Sequence, residues 1–533
     1  MNVVIGSGPA GVAAAASLLD RGCQVTMLDA GGSLEPEIQT RVDRLARRSS
    51  TGWSAGERDS LKGPLRFNAE GAPLKLAFGS DYIYRDVDRL QPVVADGVDA
   101  YRAFATGGLS TVWGASILPY GDEDFREWPF DAAALDPYYA AALGLTGLAA
   151  ADDRLSALYR VHMPPRTRLE LSSQARFMER RMSRHADRLE EQHIYFGASR
   201  LAVAGDTTAA ERSCVRCGMC LYGCPYGLIY SARATLDTLS LSKDFTYVSG
   251  VIVTRLVERH GSVTIEAVTR DTSRVQSFEA ARVYLAAGVL GSTAIMLESL
   301  DAYGRPIELE QSDHFLLPLL LRGTAGRSSL ERLHTLSQMF IEIRDRTLSD
   351  RGVHLQLYTY NDFYGRMARN ALGPFYRVLA PAAERLIDRL VVIKGYLHSA
   401  ESSRIRATFE RRAGRGVLHL TAVPRSESDI IIRGVARLLA KNGTRIGATP
   451  IRLALRKGRP GSGVHVGGSF PMRRNPEPFE SDLLGRPTGF TRVHIVDSAV
   501  FPTVPAAPPT LTIMANAFRI GAASADAAPQ DVS

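Results

Sequence analysis

The chain opens on a pattern that few backbones can accommodate. Val3-Val4-Ile5 runs into Gly6-Ser7-Gly8-Pro9-Ala10-Gly11, then an alanine-rich stretch from Val12 to Leu19, Gly22, and Gln24-Val25-Thr26-Met27-Leu28, stopping at Asp29. The first run predicts a buried strand, the alanine-rich stretch a helix, and the last run a second strand, parallel to the first by the right-handed crossover rule. Gly6 permits the tight turn, Gly8 lets backbone approach a pyrophosphate, and Gly11 lets helix and strand pack closely. The helix N-terminus offers free N–H groups and positive dipole character to phosphates. Asp29, at the end of the second strand, can accept hydrogen bonds from the adenosine ribose. The unit therefore predicts an α/β fold that binds an adenine dinucleotide, either NAD or FAD on these residues alone.

At 533 residues the chain is too long for one hydrophobic core, so two domains are expected. Apolar content of 45% and charged content of 23% place it among ordinary globular proteins, and without a long uncharged apolar run no spanning helix is expected. Met1-Asn2 leads straight into the first strand with no basic and apolar leader, which makes a cytoplasmic location the expectation. A net charge of +8 suits anionic cofactors or an anionic membrane surface without selecting between them, and nucleic-acid binding has no motif behind it. The tail after Ala522 is expected to be disordered.

Later segments narrow the cofactor. They are Thr106-Gly107-Gly108-Leu109-Ser110-Thr111-Val112-Trp113-Gly114-Ala115, Trp128-Pro129-Phe130, and Leu135-Asp136-Pro137-Tyr138-Tyr139. Val283-Tyr284-Leu285-Ala286-Ala287-Gly288 then predicts a buried strand running into a glycine turn. The C-terminal part carries His465-Val466-Gly467-Gly468-Ser469-Phe470-Pro471-Met472, Val493 to Pro502 with Asp497 inside it, and Pro508-Pro509-Thr510-Leu511-Thr512. In this order the segments resemble the glucose–methanol–choline (GMC) oxidoreductases, nearest the pyranose oxidase branch. The resemblance spans Met1 to about residue 520 but is carried by the two ends; the middle, from about 300 to 456, matches no motif.

The resemblance implies an α/β flavoprotein in two parts. A Rossmann-like FAD-binding domain would comprise 1–300 and 457–525, with a Cys-rich insert near 212–232. A substrate domain at 301–456 would be built on an antiparallel sheet, as in the p-hydroxybenzoate-hydroxylase-like folds. It further implies that Gly107, Gly108 and Ser110 lie along the pyrophosphate and flavin, with Ala287 and Gly288 in the adjoining turn. Val251 would meet the adenine, and Asp497, Thr510 and Leu511 would close over the isoalloxazine. His465 would be the base that takes the substrate hydroxyl proton, a task an imidazole suits because its ordinary pKa lies near working pH. The expected reaction removes hydride from an alcohol carbon of a sugar, glycoside or other hydroxylated small molecule.

Two positions depart from the family pattern. The second polar catalytic residue is usually His or Asn; Pro508 stands there and offers neither side-chain donor nor N–H. His314 and Asn516 are candidates to replace it. Val112 stands where pyranose oxidases carry a flavin-linked histidine, so FAD is expected to be non-covalent. The Pro508-Pro509-Thr510 run predicts a helix start, whose N-terminus would stabilise an anionic reduced flavin.

Four of the five cysteines form the run Cys214-x2-Cys217-x2-Cys220-x3-Cys224-Pro225. That is the spacing of a bacterial ferredoxin loop. It predicts a [4Fe–4S] or [3Fe–4S] cluster, with zinc or structural thiols, and then disulfides, as the other readings. Cys23, at the end of the nucleotide helix, is not expected to be a ligand. A cluster would send electrons singly to a protein or quinone acceptor. Without one, the chain would be an oxygen-using oxidase with structural cysteines. A flavin and iron–sulfur electron carrier lacking an alcohol substrate is the remaining alternative.

In the middle, alternation from Arg404 to Val423 predicts a β-hairpin of the sheet that roofs the flavin. Phe363 to Leu397 predicts two amphipathic helices broken near Pro374 and Pro381. Their basic face is expected to be solvated, the alternative being contact with a membrane surface or an anionic, lipid-linked substrate.

Overall fold

A computed structural model describes all residues except 65, 68–73, 165–166, 205–212, 260, 413 and 527–533. The opening motif folds as its glycines dictate. Asn2–Ile5 pairs in parallel with Val25–Leu28 on one side and Arg282–Leu285 on the other. Phe245–Val248 and Val493–Ile495 complete a five-stranded parallel sheet. A Cβ on Gly6 would sit 2.4 Å from the Ala286 carbonyl oxygen, and one on Gly11 would sit 1.9 Å from the Gly6 oxygen. Neither position admits a side chain.

The helix Pro9–Leu19 is buried along nearly its whole length because Ala13 to Ala16 let both neighbours approach. One neighbour is the sheet. The other is the closing helix Thr510–Asp526, which begins where the two prolines predicted it. Ser17 Oγ donates to the Phe518 carbonyl at 2.8 Å, and a Cβ on Gly521 would lie 3.0 Å from that of Ser17. The first and last motifs thus form one body. The tail expected to be disordered after Ala522 remains helical to Asp526, and the rest lies outside the described residues.

A second sheet, of seven strands, stands over this body. Ala448–Pro450, His314–Leu321, Leu390–Leu397, Val353–Tyr358, Met339–Ile343 and Ile194–Ala198 lie side by side, all antiparallel, and Arg456–Lys457 pairs beside them with His314–Leu321. Ile194–Ala198 comes from well before residue 300, so this sheet draws strands from outside the middle of the chain. One face carries Leu317, Leu319, Val391, Ile393, Leu355 and Ile341, packed under the helices Ser173–Arg184 and Ser426–Lys441. The alternation that sends these side chains outward sends His314, Tyr396, His354 and Glu342, paired in one register row, to the opposite face.

The expected hairpin forms as Arg404–Arg412 and Arg415–Val423, but it pairs with Ile307–Gln311 and Val93–Asp96 in a separate five-stranded sheet. It is thus distinct from the seven-stranded sheet, which we call the roof. The predicted helix pair is Asp362–Leu372 and Tyr376–Ile387, broken at Gly373–Phe375. Pro381 sits inside the second helix without ending it. Leu390–Leu397 is a central strand, because its β-branched run Val391-Val392-Ile393 is paired on both edges. The outer face of the helix pair differs from the solvated basic face expected of it: Phe375, Val378, Leu379 and Leu386 are exposed among the arginines. Among the described residues no helix is long and apolar enough to cross a membrane.

Candidate active site

The nucleotide turn is built to receive a phosphate. The helix Pro9–Leu19 starts at Gly8 with no side-chain cap, so its first N–H groups are uncommitted, and the space where a Gly8 Cβ would stand is empty to 4 Å. Gly288 is equally open and has φ +75°, a conformation glycine adopts without strain. Gly107 N–H donates to Ser7 Oγ at 2.9 Å, and a Cβ on Gly108 would lie 3.3 Å from Gly8 Cα, so the Gly107-Gly108 segment lies directly on the turn. Ser110 spends its hydroxyl within the fold, donating to the Gly107 carbonyl at 2.5 Å and accepting from Ala232 N–H at 2.9 Å. Open glycine cradles and an uncapped helix start fit an extended dinucleotide.

Asp29 has a larger structural duty than the sequence implied. It accepts from Ser7 N–H at 3.0 Å, Gly31 N–H at 2.9 Å and Tyr247 Oη at 2.9 Å, while burial raises its pKa. Val251 N–H donates to the Asp29 carbonyl at 2.9 Å, so the two expected adenosine contacts are neighbours. Asp497 accepts from Ser292 Oγ at 2.5 Å and from Ala499 N–H at 2.9 Å, tying the Ala287-Gly288 turn to the C-terminal motif. Burial pushes its carboxyl up to about 6. Thr510 and Leu511 stand in the first turn of the closing helix.

His465 lies where two sheets meet. Its carbonyl accepts from Ser312 N–H at 3.0 Å, and the following Val466–Gly467 pairs with Ile307–Gln311. Val464, immediately before it, is held at φ +62°, an unusual conformation for a β-branched residue and a mark of local strain. The imidazole stacks on Tyr396 of the roof, with ring centres 4.4 Å apart and planes 15° apart. Nδ1 is buried without a hydrogen-bond partner. Burial, and then the ammonium of Lys394, hold the ring's pKa well below that of a free imidazole, so it is neutral.

The roof face supplies groups that the motifs did not. Tyr358 Oη donates to Gln356 Oε1 at 2.8 Å, Gln356 Nε2 lies 3.1 Å from His354 Nε2, and His354 Nδ1 lies 2.5 Å from the buried Glu342 Oε1. Donor directions along this chain are consistent if Nδ1 carries the proton toward Glu342 and Nε2 accepts from Gln356. The Tyr358 proton is then committed to Gln356, leaving its oxygen as an acceptor. A Cβ on Gly114 would lie 3.6 Å from that oxygen, which places Tyr358 against the Thr106–Ala115 segment. Lys394 holds its Nζ 5.1 Å from the centre of the Tyr396 ring. Burial lowers its pKa, and among the described residues no carboxylate is seen to oppose that shift.

The two sequence candidates for the missing second polar group lie differently. His314 Nδ1 is 3.3 Å from Ser462 Oγ, and its ring centre is 6.1 Å from that of Tyr396, so it is near His465 but packed against the 458–463 loop. Asn516 accepts from Arg519 at 2.8 and 3.0 Å and leaves Nδ2 buried without a partner. Lys394 and Tyr358 went unread, Tyr358 although a signal was present. Polar residues at every second position in Val353-His354-Leu355-Gln356-Leu357-Tyr358 mark a strand with one functional face.

All five cysteines are free thiols, which removes the disulfide reading. Cys214, Cys217, Cys220 and Cys224 line one cavity together with Val203, Leu228 and Leu336. Leu228 N–H points to Cys224 Sγ at 3.3 Å and Thr335 N–H to Cys220 Sγ at 3.5 Å. Burial and the neighbouring thiols push Cys217 up to about 12 and raise Cys224. Among the described residues no three His, Cys, Asp or Glu side chains are arranged to hold a metal ion. Lys75 bridges this region to the Thr106–Ala115 segment: its Nζ donates to the Trp113 carbonyl at 2.6 Å, and burial lowers its pKa to about 8 against the pull of Cys220 and Cys224.

Residues 431–517 match the family described as GMC oxidoreductase. No curated protein sequence matches the chain. Among solved structures, pyridoxine 4-oxidase from Mesorbium loti shares the fold with a TM-score of 0.58 and 15% identity, covering 98% of each chain. At that identity the likeness speaks for the fold alone.

Proposed function

We propose that this chain is an FAD-dependent oxidoreductase of the GMC kind that oxidises an alcohol carbon of a hydroxyl-rich small molecule such as a sugar or glycoside, with His465 as the proton acceptor. The observation that carries this reading is the neutral imidazole of His465, stacked on Tyr396 with its Nδ1 buried and without a hydrogen-bond partner. Gly6, Gly8, Gly11, Gly107, Gly108 and Gly288 would hold the dinucleotide, and Val112 leaves it non-covalent. FAD, when bound, supplies the two-electron acceptor for the hydrogen that leaves the alcohol carbon. His465 takes the hydroxyl proton, so the alcohol becomes a carbonyl with one hydride and one proton removed.

The roof favours a polyol. Tyr358 presents an acceptor and Lys394 presents only donors. A sugar hydroxyl both gives and takes hydrogen bonds and satisfies the two together, whereas an apolar alcohol would leave them desolvated and unpaired. Lys394 also gives the site a hydrogen-bond donor that Pro508 cannot provide. When protonated it disfavours imidazolium at His465.

Cys214, Cys217, Cys220 and Cys224 would hold an iron–sulfur cluster, which when bound supplies a one-electron exit to a protein or quinone acceptor. The ferredoxin spacing, the shared cavity and the N–H groups aimed at two of the sulfurs support this reading. Among the described residues no three ligands converge on one point, which weighs against a cluster and zinc alike, so the ferredoxin spacing is the main ground for preferring the cluster.

The deciding experiment mixes purified holoenzyme anaerobically with sugars and with apolar alcohols while the flavin absorbance is followed. Sugars should bleach the flavin. His465→Ala should slow the bleaching by about two to four orders of magnitude with flavin content unchanged. Full-rate reduction in that variant would end the reading. An EPR spectrum of the same sample, with iron and acid-labile sulfide assayed, should show a cluster that Cys217→Ser removes; flavin signals alone would discard it.

A further inference from the structure

The helix pair Asp362–Leu372 and Tyr376–Ile387 projects a surface unlike the rest of the molecule. Its foot is fixed. Tyr222, two residues from both Cys220 and Cys224, donates to Asp362 Oδ1 at 3.0 Å; Arg366 reaches Tyr222 Oη at 3.3 Å and the Gly63 carbonyl at 3.0 Å; and Lys62 pairs with Asp362 at 2.6 Å. At the other end Ser328 N–H donates to Asp388 at 2.8 Å. Between these anchors the outer face is apolar. Phe375 is 71% and Val378 79% exposed, and Met367, Leu379 and Leu386 are exposed with them.

The charges on this face carry one sign. Arg369, Arg377 and Arg385 are exposed, while Asp362, Glu384 and Asp388 are half-buried and each engaged by a basic side chain or a backbone N–H. A solvated helix pair mixes both signs and hides its large apolar residues. A two-helix projection with apolar side chains at its Gly373-Pro374-Phe375 corner and only arginines around them matches the interface of an anionic bilayer. There aromatic and aliphatic groups enter the headgroup layer and guanidinium groups meet phosphates.

We infer that this helix pair is a membrane-docking element that seats the enzyme on anionic lipid through Phe375, Val378, Leu379 and Leu386, with Arg369, Arg377 and Arg385 on the headgroups. The test is sedimentation of holoenzyme with vesicles of phosphatidylglycerol and phosphatidylcholine, against vesicles of phosphatidylcholine alone. Binding should be at least about tenfold stronger to the anionic vesicles and should weaken as salt rises. Phe375→Ser with Val378→Ser, and separately Arg369→Glu with Arg377→Glu, should each lower binding by about tenfold or more, with flavin content and the rate of flavin reduction unchanged. Leu241→Ser, at an exposed apolar residue elsewhere on the surface, should bind as the parent does.

Three results would overturn the inference. One is equal binding to both vesicle types. Another is binding that survives Phe375→Ser with Val378→Ser. The third is a vesicle-free dimer that the same pair of substitutions dissociates, which would assign the face to a second copy of the chain.

Discussion

The nucleotide body and the roof above it are specified by different kinds of information. In the body, local rules suffice. Gly6 and Gly11 admit no Cβ, Gly8 and Gly288 leave open space, and the helix that follows is buried because its residues are small. In the roof no single segment carries the chemistry. Glu342, His354, Tyr396 and His314 become neighbours only because four strands align in one register. The body tolerates almost no change at a few positions, whereas the roof is set by pairings between distant strands and leaves individual side chains free to choose the substrate.

Substitutions should separate the two regions most sharply at Gly11. Gly11→Val drives a side chain into the Gly6 carbonyl, so the purified chain should lose FAD by more than about a hundredfold or fail to fold; a flavin-replete variant would show the turn to be adaptable. A smaller effect is expected from Glu342→Ala, which strips the buried His354 of its carboxylate. Unfolding in denaturant should show a loss of about 3 kcal/mol while FAD affinity holds, and coupled loss of both would mean that roof and body are one cooperative unit.

The smallest effect concerns pH. The depressed pKa of His465 keeps its imidazole neutral below the ordinary histidine range, so the acid limb of kcat/KM should lie below pH 6.5. Lys394→Met removes the positive charge that disfavours imidazolium, so the limb should move upward by less than about one unit, burial being the larger cause. A limb that stays put or moves downward would separate Lys394 from His465. The same variant should raise KM for polyols more than for apolar alcohols.

This difference also explains what could be read from the sequence. The strand–turn–helix unit, the strand running into Gly288, the start of the closing helix near Thr510 and the hairpin at 404–423 were all legible, because each is signalled within about twenty residues. The strand Leu390–Leu397 was not. Its neighbours in sequence are amphipathic helices, and only pairing with His314–Leu321 and Val353–Tyr358 makes it a strand. Lys394 and Tyr396 were lost with it. The cysteines were visible as a run, but their common cavity required Leu336 and Val203 from elsewhere. The apolar outer face of the helix pair was also missed, because composition alone does not say which face of a helix its neighbours cover.

The bond from Ser17 to the Phe518 carbonyl spans 501 residues. On the ribosome this makes the nucleotide turn a promise that only a helix made much later can keep. Until residues near 518 have emerged, Pro9–Leu19 has bare alanines where its partner should lie, and a chaperone or a protease can reach them. Synthesis that stalls before Phe518 should therefore yield a chain without cofactor, and flavin uptake would report that translation has passed that helix.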